Sequence, residues 1–230
     1  QATAQYCIPQ GYYEEGAQYI EKALKSNVLA GDDPAEKIRC LRFLIYQQTN
    51  LWKVEHTEEY LEESLVLAKK NGLQEDHAIT CRLYGLYLSM KGRFEEGMEY
   101  LVKSLEFFKN APLKSRIYAL NIAACYNYMG EIRRKQRDFE EANRYYRQAV
   151  ATCDSNHCPC NATFYSNMGR SYLAMGKTRQ SEEALYQADR VYEESFTLIG
   201  RSITKGYLAV LEAEKGNKAE AVRYLEEAMK

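Results

Sequence analysis

The sequence predicts an all-α solenoid of about six antiparallel helix hairpins, and a repeated turn is the main reason. The segment Gly92-Arg93-Phe94-Glu95-Glu96-Gly97 recurs as a polar break, an apolar residue and a small residue that opens a new helix. The small residues that mark each occurrence, called anchors here, are Gly16, Thr57, Gly97, Ala142, Ser181 and Ala221. Successive anchors are separated by 41, 40, 45, 39 and 40 residues. A fixed period of this length is typical of stacked helical hairpins.

Residues at fixed distances from the anchors define the second helix of each unit. Three residues before the anchor, four of the six units have an apolar residue, namely Tyr13, Val54, Phe94 and Phe139. Seven residues after the anchor the residue is always small: Ala23, Ser64, Ser104, Ala149, Ala188 and Ala228. A small residue there lets two helices approach closely. The pattern predicts units near residues 1–30, 33–71, 74–110, 112–153, 160–196 and 198–230.

Between the units, residues that end helices separate each second helix from the next first helix. These breaks are Gly31 to Pro34, Asn71-Gly72, Asn110 to Pro112, Asn156 to Pro159 and Gly200. The first helices themselves are long. From Leu113 to Gln136 the only glycine is Gly130, and apolar residues follow helical spacing. No segment alternates apolar and polar residues as a strand would.

The first helices also carry the residues of a known signature. Tyr84-Gly85 with Gly92, Phe94, Gly97, Leu101 and Ser104, and Met129-Gly130 with Phe139, Ala142, Tyr146 and Ala149, resemble the tetratricopeptide repeat (TPR). The fifth unit keeps Tyr165, Met168-Gly169 and Tyr172 of this signature but has Thr178 and Ser181 where the family prefers an aromatic residue and alanine. In the second unit, Ile45 and Trp52 replace both glycines. The period alone fits HEAT or armadillo repeats. The turn favours TPR, and this resemblance implies a right-handed superhelical solenoid.

Both ends of the sequence indicate an open stack. Gln1 to Ile8 would supply only the end of a first helix, and Val222, Leu225 and Met229 would leave an apolar face on the last helix. We therefore expect residues 1–230 to form one solenoid domain that is part of a longer chain, or that associates end to end with another copy.

Composition argues against several partners. Apolar residues make up 46% of the chain, charged residues 27%, and the net charge is −1. Nucleic-acid backbones require a basic surface, so direct contact with nucleic acid is not expected. No apolar stretch approaches the ~20 residues of a membrane span, and no signal peptide is recognisable. The sequence thus predicts a cytoplasmic location and no membrane contact.

Seven cysteines raise the question of metal binding. Cys7, Cys40, Cys81 and Cys125 fall on first helices, where free cysteine behaves as a small buried apolar residue. Cys153, His157, Cys158 and Cys160 lie within one loop region and are soft ligands suited to zinc. The spacing of Cys158 and Cys160 is shorter than in familiar zinc sites. We predict no metal and no cofactor, and keep these four residues as the metal candidates.

Catalytic motifs are not recognisable. The three histidines, His56, His77 and His157, belong to no known motif, and no glycine-rich phosphate loop follows a strand. Paired glutamates open several second helices, where they complement the helix dipole. We therefore predict a non-catalytic protein.

The TPR resemblance implies a binding groove lined by the first helices. Carrying its groove positions onto this sequence gives the candidate residues Arg39, Arg42, Tyr46, Arg82, Leu86, Asn127, Arg134, Ser166 and Arg170. Arginine recurs at equivalent places although the chain is slightly acidic. Such a groove suits an extended peptide or an acidic helix. The alternative is that Arg170 pairs with Glu131 and the other arginines are only solvated.

Two functions remain open at this stage. The tyrosine-rich long units are similar to the C-terminal TPR regions of large bacterial transcriptional activators, which implies a sensory or interaction domain of a regulator. A free-standing adaptor for a multiprotein complex is the alternative, and a peptide-pheromone receptor is a third reading. Groove residues are chosen by each protein, so the fold does not name the ligand.

Overall fold

Helices account for nearly all of the structure. The computed structural model describes residues 13–25, 33–50, 56–112, 115–155, 161–195 and 197–229. Its helices are α1 (Tyr13–Lys25), α2 (Pro34–Asn50), α3 (Thr57–Lys70), α4 (Gln74–Met90), α5 (Phe94–Asn110), α6 (Arg116–Lys135), α7 (Phe139–Asp154), α8 (Asn161–Ala174), α9 (Thr178–Glu194), α10 (Leu198–Glu214) and α11 (Lys218–Ala228). No strand occurs in these ranges. The predicted all-α fold of helix hairpins is confirmed.

The chain divides into two compact units, Gln1–Asn110 and Ala111–Lys230. In the first unit, α2 with α3 and α4 with α5 form hairpins, while α3 packs on α4 and α2 touches α4. In the second unit the hairpins are α6 with α7, α8 with α9, and α10 with α11. There the first helices α6, α8 and α10 also contact one another in order. Each unit therefore presents a surface made of first helices.

The repeated turn sets where the second helices begin. Helices α5, α7, α9 and α11 begin at Phe94, Phe139, Thr178 and Lys218, each three residues before its anchor. Each of the four preceding turns contains the backbone hydrogen bond of a Schellman motif, which runs from the residue after the turn back to the first helix. In the first of them, Arg93 N donates to Leu88 O at 2.9 Å. The same bond runs from Asp138 N to Arg133 O at 2.9 Å.

One residue in each of these turns adopts a left-handed backbone conformation. Five residues before the anchor, Gly92, Gly176 and Gly216 have φ between 68° and 84°, values that glycine tolerates. Arg137 occupies the same place in the remaining turn with φ of 65°. A residue with a Cβ is strained there by about 1 kcal/mol. This turn is thus built with a residue that the repeat pattern does not favour.

Gly85, Gly130 and Gly169 lie at the seams of the hairpins to which they belong. A Cβ added to Gly130 would lie 2.5 Å from the Tyr146 ring, and one added to Gly169 would lie 2.6 Å from Leu185 Cγ. Tyr146 and Leu185 are fully buried at the same distance after their anchors. The glycines therefore allow the close helix approach that the signature predicts.

The break predicted at Gly200 is wrong. Helix α9 ends at Glu194 and α10 begins at Leu198, so Gly200 lies within the first turn of α10. Its missing side chain leaves room for the Tyr192 ring, which would stand 2.4 Å from an added Cβ. Gly200 therefore serves helix packing and does not end a helix.

The structure also bears on the predictions about the cysteines of the first helices and about membrane spans. Cys40, Cys81 and Cys125 are buried and form no disulfide within the described residues, as predicted. Cys7 lies outside the described residues. Within the part of the chain that the structure describes, no helix is both long and apolar enough to span a bilayer.

Candidate functional site

The nine predicted groove residues all lie on first helices. Helix α2 carries Arg39, Arg42 and Tyr46, α4 carries Arg82 and Leu86, α6 carries Asn127 and Arg134, and α8 carries Ser166 and Arg170. The first five belong to the first compact unit and the last four to the second. The two sets are therefore described separately.

In the first unit, Arg39 and Arg42 each pair with a different carboxylate. Arg42 Nη1 lies 2.6 Å from Asp76 Oδ1, which ties α2 to α4. Arg39 pairs with Glu36 one helical turn earlier. Burial lowers the pKa of Arg42, and the charge of Asp76 opposes that shift. The pairing accounts for why Arg42, whose side chain is only 16% exposed, stays charged.

The remaining predicted residues of the first unit lie near this pair. Arg82 is close enough to Arg42 for their like charges to lower the pKa of Arg42. Arg82 and Leu86 are half-buried, and Tyr46 is 39% exposed. This surface presents one aromatic ring beside paired charges.

In the second unit, a single carboxylate holds two arginines. Arg134 Nη2 lies 2.9 Å from Glu131 Oε2, and Arg170 Nη2 lies 2.7 Å from Glu131 Oε1. Tyr146, which rises from α7, donates its hydroxyl to the same carboxylate. We call Glu131, Arg134, Tyr146, Arg170 and Tyr207 the Glu131 cluster. It joins helices α6, α7, α8 and α10.

The charges of the cluster fix its protonation. Burial alone raises the pKa of Glu131, but hydrogen bonds and charges from Arg134 and Arg170 outweigh burial and hold that pKa at about 2. Burial and the adjacent carboxylate raise the pKa of Tyr146, so its hydroxyl stays protonated. At neutral pH the cluster therefore contains one negative and two positive groups.

Arg170 is held by hydrogen bonds, but one of its N–H donors has no partner in the described part of the chain. Its Nη1 donates to the Tyr207 hydroxyl at 2.9 Å, and the guanidinium lies 5.6 Å from the centre of the Tyr207 ring. Its Nε is buried and has no hydrogen-bond partner. Partial burial lowers the pKa of Lys135, and the nearby guanidinium groups of Arg134 and Arg170 contribute to this shift. The positive charges on this surface are thus close enough to affect one another.

Asn127 and Ser166 are largely buried and bridge neighbouring first helices. Asn167 Nδ2 donates to Asn127 Oδ1 at 2.9 Å, which joins α8 to α6. The hydroxyls of Ser166 and Thr204 lie 3.0 Å apart and join α8 to α10. Both residues support the surface on which Arg134 and Arg170 stand.

Sequence reasoning missed Asn167 and Tyr207 as members of this surface. Counting from the first position of each unit, both occupy position six, which the family pattern leaves out of the groove. In the structure their side chains reach back to the preceding first helix, at Asn127 and Arg170. The sequence feature that could have identified them is a polar or aromatic residue at position six of the unit.

Of the metal candidates, only Cys153 can be placed. It is fully buried within α7 and forms no disulfide with a described cysteine, so the prediction that it lies on a loop is wrong. His157, Cys158 and Cys160 lie outside the described residues. Among the residues that the structure describes, no group of three or more His, Cys, Asp and Glu side chains has the arrangement of a metal site.

Comparison with known proteins agrees with the helix hairpins. A family model described as tetratricopeptide repeat matches residues 122–153, which contain most of α6 and α7. A Rap protein solved in complex with Competence and Sporulation Factor is 15% identical, with a TM-score of 0.80 over 99% of this chain and 72% of that chain. The TPR family is therefore supported.

Two further solved structures share the fold. BtubC from P. vanneervenii is 16% identical, with a TM-score of 0.67 over 96% of this chain and 89% of that chain. A signal transduction ATPase with numerous domains (STAND) that has a tetratricopeptide repeat sensor, from Pyrococcus horikoshii, is 13% identical. Its TM-score is 0.58 over 99% of this chain and 40% of that chain. Folds of this kind are generally binding scaffolds.

Proposed function

We propose that this chain is a non-catalytic scaffold whose Glu131 cluster binds an acidic segment of a protein or peptide. The observation that carries the proposal is that Arg134 and Arg170 share one carboxylate. A guanidinium has five donors in a planar fork suited to carboxylates. The Glu131 cluster therefore retains guanidinium N–H donors and a net positive charge after this internal pairing.

The position of the two arginines supports this use. Arg134 is 22% and Arg170 25% exposed, so both can be reached by a partner while their stems are packed. Tyr207 fixes the plane of Arg170 by a hydrogen bond and by its ring. A fixed guanidinium loses less conformational entropy when it binds, and a second carboxylate entering this surface would find its donors already oriented.

Isothermal titration calorimetry with defined peptides tests the proposal. The probes are ten-residue peptides that contain four glutamates or, in the matched set, four lysines or four glutamines. We expect only the glutamate peptide to bind, and we expect Arg134→Ala and Arg170→Ala each to weaken binding about tenfold or more. Arg179→Ala is the control, because Arg179 is 91% exposed on α9 and pairs only with Glu183 among the interactions described. Equal binding by all variants would contradict the proposal.

A sensory or interaction domain of a bacterial transcriptional regulator is the biological role that we propose for this scaffold. The similarity in sequence to TPR regions of large activators and the similarity in fold to the STAND protein with its repeat sensor support it. The complete gene tests this role. A helix-turn-helix or nucleotide-binding domain in the same chain is the expected result, and its absence would favour an adaptor.

A receptor for short peptides is the second candidate. Its support is the fold similarity to the Rap protein solved with Competence and Sporulation Factor. Thermal shift with short secreted peptides of the same organism would distinguish this role, since a receptor gains stability by RT ln(1 + [L]/Kd) when its peptide is added. No shift with any such peptide would exclude it.

A further inference from the structure

A second concave site lies on the second compact unit, away from the Glu131 cluster. It is a cavity of about 720 Å³ between α7, α8 and α9. The residues that decide its chemistry are Arg147, Tyr165, Met168, Tyr172, Tyr186 and Arg190. We call these six residues the tyrosine pocket. Its volume falls within the usual range of ligand sites.

The tyrosine pocket and the Glu131 cluster use opposite faces of α8. Successive helical residues are rotated by about 100°, so residues two apart point in nearly opposite directions. Ser166 and Arg170 face the first-helix surface, whereas Met168 and Tyr172 line the pocket. A substitution in one site therefore leaves the other site's side chains in place.

The aromatic walls of the pocket are held by hydrogen bonds. Arg147 Nη1 donates to the Tyr172 hydroxyl at 3.0 Å, and the Tyr224 hydroxyl donates to that of Tyr186 at 3.1 Å. Tyr186 is 43% exposed, so one face of its ring is open to solvent. Tyr172 is buried and Tyr186 is open to solvent, and the hydrogen bonds hold both rings in place, which lowers the entropy lost on binding.

The charges around the pocket are unequally satisfied. Glu183 also lines the pocket, and its carboxylate pairs with Arg179, which is not among the lining residues. Arg190 is 67% exposed and lies 3.9 Å from Glu194, too far for a hydrogen bond. Arg147 donates to a tyrosine hydroxyl and not to a carboxylate in this contact. The two arginines therefore favour an anionic group at the mouth.

The floor and walls favour an aromatic group. The Met168 thioether makes favourable contacts with aromatic rings, and arginine stacks on them. Tyr165 and Tyr186 supply two further ring surfaces for edge or offset packing. Burial raises the pKa of Tyr165, so this phenol is neutral at physiological pH.

We propose that the tyrosine pocket binds a partner segment in which an aromatic side chain is followed by acidic residues. The ring inserts over Met168 between Tyr165 and Tyr186, and the carboxylates pair with Arg147 and Arg190. The scaffold then has two independent sites on one unit, one for acidic segments and one for an aromatic residue with acidic neighbours.

Methionine-methyl NMR on the full chain tests this site directly. The chain is labelled with ¹³C at its methionine methyl groups and titrated with the capped peptide Gly-Ser-Phe-Glu-Asp-Gly-Ser. A ring stacked over Met168 shifts that methyl resonance upfield, whereas the buried Met129 methyl stays unchanged. Peptides with alanine for phenylalanine, or lysines for the two acids, are the matched probes and are expected to shift Met168 at least tenfold less at equal concentration.

Protein variants complete the test. Tyr186→Ala and Arg147→Ala are expected to weaken binding of the phenylalanine peptide about tenfold, and Tyr19→Ala, at an exposed tyrosine of the first unit, leaves it unchanged. Circular dichroism confirms that each variant is folded. Arg170→Ala is expected to retain this binding while it loses the glutamate peptide, so failure of one site is distinguishable from failure of the other.

Three results would overturn the inference. The Met168 methyl fails to move with the phenylalanine peptide, or it moves equally with the alanine peptide. In the third, Tyr186→Ala leaves peptide binding unchanged but turns an oligomer into a monomer in analytical ultracentrifugation. That outcome would assign the pocket to contact between copies of this chain.

Discussion

The two compact units treat buried arginines differently. In the first, Arg42 pairs with Asp76, and burial lowers the pKa of Arg42. In the second, Arg134 and Arg170 share Glu131, yet the pKa of both arginines is raised. One carboxylate that pairs with two arginines leaves a net positive charge, whereas one carboxylate paired with one arginine is neutral. The same repeat fold thus yields one surface on which Arg39 and Arg42 each pair with a different carboxylate and one surface on which two arginines share a carboxylate.

Removing the shared carboxylate should be the most damaging single change. Glu131→Gln leaves two guanidinium groups facing each other and should lower the free energy of unfolding by about 3 kcal/mol, because unpaired half-buried charges are costly. Asp76→Asn, the matched change in the first unit, should cost about 1.5 kcal/mol, since only one arginine loses its partner. Urea denaturation measures both. An equal or larger loss for Asp76→Asn would contradict the comparison.

Acidification should remove the same stabilisation. Because the pKa of Glu131 is lowered to about 2 in the folded chain, the unfolded chain binds more protons between about pH 4.5 and pH 2. The contribution is complete above that window and is lost as pH falls through it, by up to about 3 kcal/mol. Urea titrations from pH 7 to pH 2 check this. The stability gap between wild type and Glu131→Gln should close with falling pH, and a constant gap would be inconsistent with the lowered pKa.

A methyl group at the seam of the second unit should have the next largest effect. Gly130→Ala places a Cβ against the Tyr146 ring, which Glu131 holds, and should cost about 2 kcal/mol. Gly206→Ala is the control, because no atom lies within 4 Å of an added Cβ there. It should gain about 0.5 kcal/mol from helix propensity. Thermal unfolding by circular dichroism distinguishes the two, and a neutral Gly130→Ala would show that the seam relaxes.

The smallest effect concerns the repeated turn, in which Arg137 of the second unit replaces the glycine found in the turns before α5, α9 and α11. Gly92 in the first unit and Arg137 in the second both adopt positive φ. Arg137→Gly should stabilise the chain by about 1 kcal/mol because it removes backbone strain, and Gly92→Ala should destabilise it by a similar amount. Differential scanning calorimetry checks both signs. Destabilisation by Arg137→Gly would mean that the arginine side chain contributes more than its backbone costs.

The sequence predicted the hairpins because their signals are local. The apolar residue three positions before each anchor marks the first residue of α5 and α7, and the seam glycines contact the residues expected of the repeat. Gly200 was misread because glycine both ends helices and permits close packing, and sequence alone does not separate these roles. The left-handed backbone conformation of Arg137 was also not predictable, because the surrounding helices can hold a residue other than glycine in a strained conformation.

The pairing within the candidate surface was harder to predict. A pair between Arg170 and Glu131 was one of the alternatives that the sequence left open. Arg134 and Tyr146 bind the same carboxylate, and this depends on side-chain rotamers and on the packing of three helices. The tyrosine pocket had no sequence signal, because Tyr165 and Tyr172 also match the repeat signature. Local spacing predicts which face a residue occupies, and side-chain packing decides what it contacts.

The most direct test of the central idea observes the arginines themselves. Arginine Nε NMR resonances are followed while the glutamate peptide is added to the full chain. If the shared carboxylate leaves the second unit able to bind anions, the Nε signals of Arg134 and Arg170 shift and saturate while that of Arg42 stays in place. Shifts of Arg42 as large as those of Arg170, or no shift of Arg134 and Arg170 at saturating peptide, would contradict the account.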